Sequence, residues 1–272
     1  LASISTGYNK ALGNETVVYQ NPTYLQAAEE YFYSALNKEF QNDYKGAISD
    51  YTIAIELYPN NSKIYYNRGL IKAALKDYKG AIADYNKAIE LNPDDAYAYH
   101  NRGTSKYNLN NNEGAIADFT KAIEIDPDDA LNYVNRGKAR TDSKYYEKAL
   151  GDLSKAIALD PNYVDAYSIR GDTKRLLKDY YGAIADCNKA IELNPEYFYA
   201  YGTRGLIKDD LKDYYGAIAD YTKAIEIEPS YEAGYINRSL VKEALGDING
   251  SCADLRKVVS LGKKYANKAT NW

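Results

Sequence analysis

The feature that most constrains this chain is a set of prolines that recur at a constant spacing of 34 residues. Self-similarity at a fixed period of this size indicates a repeat architecture, in which every period is one structural unit. The prolines with this spacing are Pro59, Pro93, Pro127, Pro161, Pro195 and Pro229. Counting back from them predicts seven repeat units over 28–61, 62–95, 96–129, 130–163, 164–197, 198–231 and 232–265. An N-terminal arm, 1–27, and a C-terminal tail, 266–272, remain outside these predicted units.

Each unit predicts two antiparallel helices joined by a short turn. Two segments with helical apolar periodicity are separated by a turn such as Lys76-Asp77-Tyr78, and the proline at the thirty-second position ends the second helix. The eighth and twentieth positions are small in most units, as in Gly69 and Ala81, which lets the two helices approach closely. One such hairpin cannot bury its apolar faces alone, so the units are expected to stack on one another.

The residue types at equivalent positions resemble the tetratricopeptide-repeat (TPR) family. The second unit reads Tyr65, Asn67, Arg68 and Gly69 in its first half and Gly80-Ala81-Ile82-Ala83-Asp84-Tyr85 in its second half, and the other units follow the same register over 28–265. The resemblance implies an all-α fold, a right-handed superhelical solenoid of antiparallel helix hairpins. It also implies a non-catalytic scaffold whose partner is a protein or peptide.

The charged residues depart from the family pattern in a way that predicts ion pairs. The seventh position is Arg in six units, the eleventh is basic in every unit, and the twenty-third is always Asp. Because the seventh and eleventh positions share a helix face, we predict a link between the two helices of each unit. A matching Asp in every unit disfavours the alternative, a ladder that binds anionic ligands. The predicted structural pairs are Arg68–Asp84, Arg102–Asp118, Arg136–Asp152, Arg170–Asp186, Arg204–Asp220 and Arg238–Asp254.

Composition argues against catalysis and against nucleic-acid binding. The net charge of −4 provides no overall basic field for nucleic acid, and no apolar run is long enough for direct insertion into a membrane. His100 is the only histidine, so we predict no catalytic residue, no metal site and no cofactor. Cys187 and Cys252 lie about two packed helical layers apart, too far for a disulfide, and are predicted to be small core residues. Acidic pairs such as Asp209-Asp210 are predicted in turns or on solvated faces.

The resemblance to the family places the first helix of each unit on a concave wall, with positions two, five, six, nine, twelve and thirteen facing inward. Asn occupies the sixth position of units two to four, and an amide offers both donors and an acceptor to the backbone of an extended peptide. The alternative is that these side chains only solvate the wall. Chaperone-binding repeats hold a terminal carboxylate with Lys at position five and Asn at position nine, and neither occurs at those positions here, which disfavours a role as a chaperone co-factor. The predicted groove residues are Tyr66, Asn67, Leu70, Tyr97, His100, Asn101, Tyr107, Leu131, Val134 and Asn135.

A second function remains open, namely a structural subunit that assembles end to end into a filament or another homopolymer. The N-terminal arm and the terminal repeats would then form the contacts between copies. The sequence begins at Leu1 and contains no Met, which predicts a processed product or a trimmed segment and leaves secreted, cell-surface and cytoplasmic locations open. The segment from Gly246 to Lys257 resembles the last repeat of many bacterial repeat proteins.

Overall fold

The computed structural model describes residues 22–262 and contains fourteen α-helices, with no strand in that range. The chain divides after Pro127 into two compact units. The first unit contains α1 (Pro22–Phe40), α2 (Tyr44–Leu57), α3 (Ser62–Ala74), α4 (Tyr78–Leu91), α5 (Ala96–Asn108) and α6 (Asn112–Ile125). The second unit contains α7 (Ala130–Asp142), α8 (Tyr146–Leu159), α9 (Val164–Leu176), α10 (Tyr180–Leu193), α11 (Phe198–Asp210), α12 (Tyr214–Ile227), α13 (Glu232–Ala244) and α14 (Ile248–Ser260).

Consecutive helices pair as hairpins, from α1 with α2 to α13 with α14. The predicted all-α fold of antiparallel hairpins is therefore confirmed. The predicted arm and tail lie outside the described residues, apart from 22–27 of the arm. Those residues belong to α1, which begins at Pro22, because proline is well suited to the first position of a helix. No helix in the range 22–262 has both the length and the apolar character that a membrane crossing requires.

The turn inside six of the seven hairpins combines a left-handed residue with a side-chain helix cap, and the exception is Tyr145 in the fourth hairpin, which makes no such cap. Lys76, at the fifteenth position of its unit, has φ 63°, and Gly246 takes the same place with φ 82°. The carboxylate of the next residue, Asp77, then accepts a hydrogen bond from the backbone N–H of Gly80 at 3.0 Å, which satisfies a free donor of the second helix. This pair of adjacent residues reverses the chain and starts the second helix.

The eighth-position glycines make room for a side chain of the second helix. A Cβ atom on Gly69 would lie 2.7 Å from Cε1 of Tyr85, and one on Gly205 would lie 2.6 Å from Cε1 of Tyr221. The corresponding side chain in the fifth repeat is Cys187, which is fully buried, and burial raises the pKa of its thiol to about 12. The aromatic ring or its smaller replacement therefore crosses the first helix where that helix has no side chain.

Candidate binding face on the first helices

A buried aspartate holds the two helices of each repeat together. Asp84 accepts hydrogen bonds from Nε and Nη2 of Arg68 at 3.0 and 2.7 Å, and Lys72 Nζ lies 2.7 Å from its Oδ2 atom. All six predicted Arg–Asp pairs lie in contact in this way: Arg68–Asp84, Arg102–Asp118, Arg136–Asp152, Arg170–Asp186, Arg204–Asp220 and Arg238–Asp254. In the first repeat, Ser34 and Lys38 contact Asp50. Burial by itself would raise the pKa of Asp50, but these contacts outweigh burial and hold the pKa below its usual range.

The arginines also join neighbouring repeats, which the sequence reasoning missed. Arg102 Nη1 donates to Asn86 at 2.7 Å, and Arg204 Nη1 donates to Asn188 at 2.7 Å. The acceptor is the twenty-fifth residue of the preceding repeat, and its recurrence as Asn, Ser or Thr was the available signal. Because the guanidinium groups already donate hydrogen bonds to these side chains, they form structural links rather than an anion site.

The first-helix face is defined here as positions two, five, six, nine, twelve and thirteen of each repeat's first helix. In repeats two and three it is built on α3 and α5, which contact each other. Asn101 Nδ2 donates to the hydroxyl of Tyr66 at 3.0 Å and to the carbonyl of Tyr97 at 2.9 Å. Asn67 Nδ2 donates to the carbonyl of Lys63 at 2.8 Å. These hydrogen bonds orient both amides, and no described residue donates to either Oδ1 atom.

Other predicted groove residues of repeats two and three surround these amides with apolar surface. Tyr97 is exposed, whereas Leu70 and Tyr107 are half-buried. The His100 ring is half-buried, with its centroid 5.6 Å from that of Phe119. Burial raises the pKa of Tyr66, so its hydroxyl stays protonated at neutral pH.

Three predicted groove residues lie on α7, in the compact unit that begins at Asp128. Leu131 is exposed and Asn135 is half-buried. Val134 is only 3% exposed, so its side chain belongs to the core and is not open to a ligand. The position of Val134 within its repeat did not predict this burial.

In repeats five and six, the same face carries acidic side chains on α9 and α11, which also contact each other. Arg175 donates from Nε to Asp172 at 2.9 Å and from Nη1 to Asp210 at 3.0 Å. Asp209 is half-buried, and burial raises the pKa of its carboxyl group. The interpretation of Asp209 and Asp210 as a solvated pair is therefore wrong for Asp209. Within residues 22–262, no group of three or more His, Cys, Asp or Glu side chains is placed to hold a metal ion.

The sequence matches the family model for the tetratricopeptide repeat over 62–95, 96–129, 164–197 and 198–231, which together make up half of the chain. These segments coincide with the second, third, fifth and sixth predicted units. The chain therefore belongs to the tetratricopeptide-repeat family. Proteins of this family are typically non-catalytic scaffolds for protein–protein interaction, and the fold of this chain is of that kind.

Solved structures with the same fold include several bacterial TPR proteins. A TPR protein from Parabacteroides merdae is 19% identical with a TM-score of 0.80, and the match covers 90% of this chain and 98% of that one. MamA is 28% identical with a TM-score of 0.50, covering 61% of this chain and 96% of MamA. YrrB, a TPR protein with an unusual peptide-binding site, is 22% identical with a TM-score of 0.54, covering 68% and 95%. No curated protein sequence matches this chain.

Proposed function

We propose that this chain is a non-catalytic scaffold that binds an extended polypeptide segment on the first-helix face of repeats two and three. The observation that carries the proposal is the arrangement of Asn67 and Asn101. Each amide is held by a hydrogen bond to its own helix, and each Oδ1 atom receives no hydrogen bond from a described residue. Two oriented carbonyl groups at the same position of adjacent repeats suit the backbone N–H groups of an extended chain.

The surrounding side chains support the same proposal. Tyr66 and Tyr97 offer aromatic surface, and the Tyr66 hydroxyl can donate to a backbone carbonyl while it accepts from Asn101. Lys63 is the only charged residue at the six defining positions of these two repeats, with His100 taken as neutral. Recognition here would therefore depend on the backbone and on apolar side chains. The likeness to YrrB is one of fold, so the proposal rests on the residues of this chain.

The test is selection of random displayed peptides on the full chain, followed by fluorescence polarisation with the selected peptides. Replacing Asn67 and Asn101 together by Ala is expected to weaken binding about thirtyfold, since each of the two lost hydrogen bonds is worth about 1 kcal/mol. A matched double variant, Asn92→Ala with Asn249→Ala, removes two exposed amides outside the first helices and should leave the affinity unchanged. Equal affinity for the two double variants, with unchanged helical circular dichroism, would contradict the proposal.

Self-assembly end to end stays the alternative function. Large apolar side chains are exposed in both terminal repeats, including Tyr33 and Phe40 in the first and Leu240 and Ile248 in the last. The predicted contacts of the N-terminal arm lie outside the described residues. Light scattering on the full chain tests this alternative directly: a monomer at high concentration contradicts it, and growth with concentration supports it.

A further inference from the structure

The acidic part of the first-helix face carries more negative charge than its one arginine neutralises. Arg175 is shared between Asp172 and Asp210, at 2.9 and 3.0 Å. Asp209 adds a third carboxylate, which makes no hydrogen bond or ion pair with any described residue. Burial raises the pKa of Asp209, and the charge of Lys212 opposes that rise. The group therefore has a net negative charge and one carboxylate without a close partner.

A buried hydroxyl beside this group also lacks a partner. Tyr221 is fully buried, and its hydroxyl makes no hydrogen bond with any described residue. Tyr85, at the same position of repeat two, is unpaired as well, but only repeat six combines such a hydroxyl with an acid at the twelfth position. Burial, followed by the charge of Asp209, holds the pKa of Tyr221 far above its usual value. Tyr231 and Asp210 raise this pKa further, whereas the charge of Arg175 lowers it. Buried polar groups are almost always paired, so an unpaired hydroxyl marks a place where a partner group is missing.

The first repeat shows how such a hydroxyl is satisfied. There, the hydroxyl of Tyr51 donates to Oε2 of Glu39 at 3.2 Å. Tyr51 and Tyr221 occupy the twenty-fourth position of their repeats, and Glu39 and Asp209 occupy the twelfth. Asp is one methylene shorter than Glu, and the hydrogen bond is absent in repeat six. A local inconsistency of this kind is characteristic of functional sites.

Two aromatic side chains, Tyr199 and Tyr231, pack together near the start of α11. The centroids of the Tyr199 and Tyr231 rings are 5.9 Å apart in an edge-to-face arrangement, and Tyr199 is exposed. Tyr231 occupies the space that a side chain at Gly202 would need, since a Cβ there would lie 2.5 Å from its hydroxyl oxygen. These rings offer aromatic surface to the rest of a bound segment.

We propose that repeats five and six bind a lysine or arginine side chain of the partner polypeptide, with its cation at the Asp209 and Asp210 carboxylates. One oxygen of Asp209 would contact the cation, and the other would be available to the Tyr221 hydroxyl after a side-chain rotation. The net negative charge of the group and the unpaired Asp209 carboxylate select this occupant. The inference rests on the proposed function only in taking the cation to be part of a polypeptide.

The test uses random displayed peptides selected on the full chain, which should be enriched in Lys and Arg. Replacing the enriched Lys or Arg by Gln in a synthetic copy is expected to weaken binding to the wild-type chain about tenfold. The Asp209→Asn variant should abolish this difference between the two peptides. The control is Glu196→Gln, which removes the same charge from an exposed residue of repeat five and should preserve the difference between the two peptides.

Tyr221→Phe sharpens the test, because it removes the unpaired hydroxyl without changing charge. It is expected to reduce the preference for Lys or Arg by about threefold, a smaller factor than Asp209→Asn. If Tyr221→Phe and Asp209→Asn both leave the preference for Lys or Arg intact, the inference is overturned. Selected peptides without Lys or Arg enrichment would overturn it as well.

The combined variant Asn67→Ala with Asn101→Ala separates this inference from the proposed function. Retention of the Lys or Arg preference in that variant, at lower overall affinity, supports both. Unchanged affinity with the preference retained removes the proposed site in repeats two and three and leaves the cation site standing. If no peptide is selected on the wild-type chain, both proposals fail.

Discussion

Repeats two and three carry Tyr, Asn, Leu and a single charged residue on their first-helix face, whereas repeats five and six carry four aspartates and one arginine at the same positions. Beneath this face the two regions are built alike. Arg102 and Lys106 contact Asp118 at 2.6 and 2.7 Å, and Arg204 and Lys208 contact Asp220 at 2.6 and 2.8 Å. This comparison shows that the buried ion pairs maintain the same hairpin in both regions, while the side chains of the first-helix face differ in polarity and charge.

The largest expected effect tests whether the buried links are equivalent. Asp118→Ala and Asp220→Ala each leave an Arg and a Lys without their carboxylate. We expect each to lower the free energy of unfolding by about 2–3 kcal/mol. This is less than the 3–5 kcal/mol typical of a fully buried pair, because the cations remain partly solvated. Urea denaturation followed by circular dichroism measures the loss.

Exposed ion pairs in the same two regions provide the control for that prediction. Glu90→Ala and Glu192→Ala each break a pair with the lysine three residues earlier, and each should change stability by no more than about 0.5 kcal/mol. Strongly unequal losses for Asp118→Ala and Asp220→Ala would show that the two regions do not share one framework.

The next effect concerns the glycines under the aromatic rings. Gly205→Ala and Gly69→Ala should each lower stability by about 1–3 kcal/mol, because the new methyl group would force the rings of Tyr221 and Tyr85 to move. Gly151 has no atom within 4 Å of an added Cβ, so Gly151→Ala should instead stabilise its helix by about 0.5–1 kcal/mol. Thermal unfolding of the three variants, compared with the wild-type chain, measures these changes in stability. A stabilising Gly205→Ala would show that the ring is loosely held.

A smaller effect links stability to the cation site. Asp209→Glu should provide Tyr221 with the partner that Tyr51 finds in Glu39, and should raise the free energy of unfolding by about 1 kcal/mol. The reverse exchange, Glu39→Asp, should lower it by a similar amount. Chemical denaturation measures both. No gain in Asp209→Glu would mean that the missing hydrogen bond is not a matter of side-chain length.

The smallest expected effect lies in the turns, which should behave alike in the two regions. Lys76 and Lys212 adopt left-handed φ values of 63° and 65°, a conformation that disfavours a side chain. Replacing either by Gly should raise stability by about 0.5–1 kcal/mol. Gly246→Lys is the reverse control and should lower stability by a similar amount. If the lysines prove more stable than glycine, contacts of their side chains outweigh the backbone strain.

Much of the architecture was predictable because it repeats. The proline period and the small residues recur in register, and the recurrence of Arg68 and Asp84 at equivalent positions pointed to their contact. The start of α1 at Pro22 was missed, because that helix extends beyond the period from which the units were counted. The hydrogen bond from Arg102 to Asn86 was missed because it depends on how neighbouring repeats stack.

The candidate sites were less predictable than the framework. Asn67 and Asn101 were identified from their shared position, but their hydrogen bonds to their own helices became visible only in the structure. Val134 has the same periodicity as the groove residues and is buried. Asp209 was interpreted as a solvated acid, although comparison with Glu39 at the same position of the first repeat would have drawn attention to it.

The sequence by itself determined that each unit is a helical hairpin and which charged residues face one another, because both follow from spacing along a helix. Only the tertiary structure decided which polar groups find a partner. Glu39 reaches Tyr51, whereas Asp209 does not reach Tyr221, and a difference of one methylene group separates the two cases. Spacing specifies which residues are neighbours, but a hydrogen bond requires the donor and acceptor to lie within a few tenths of an ångström of the right distance.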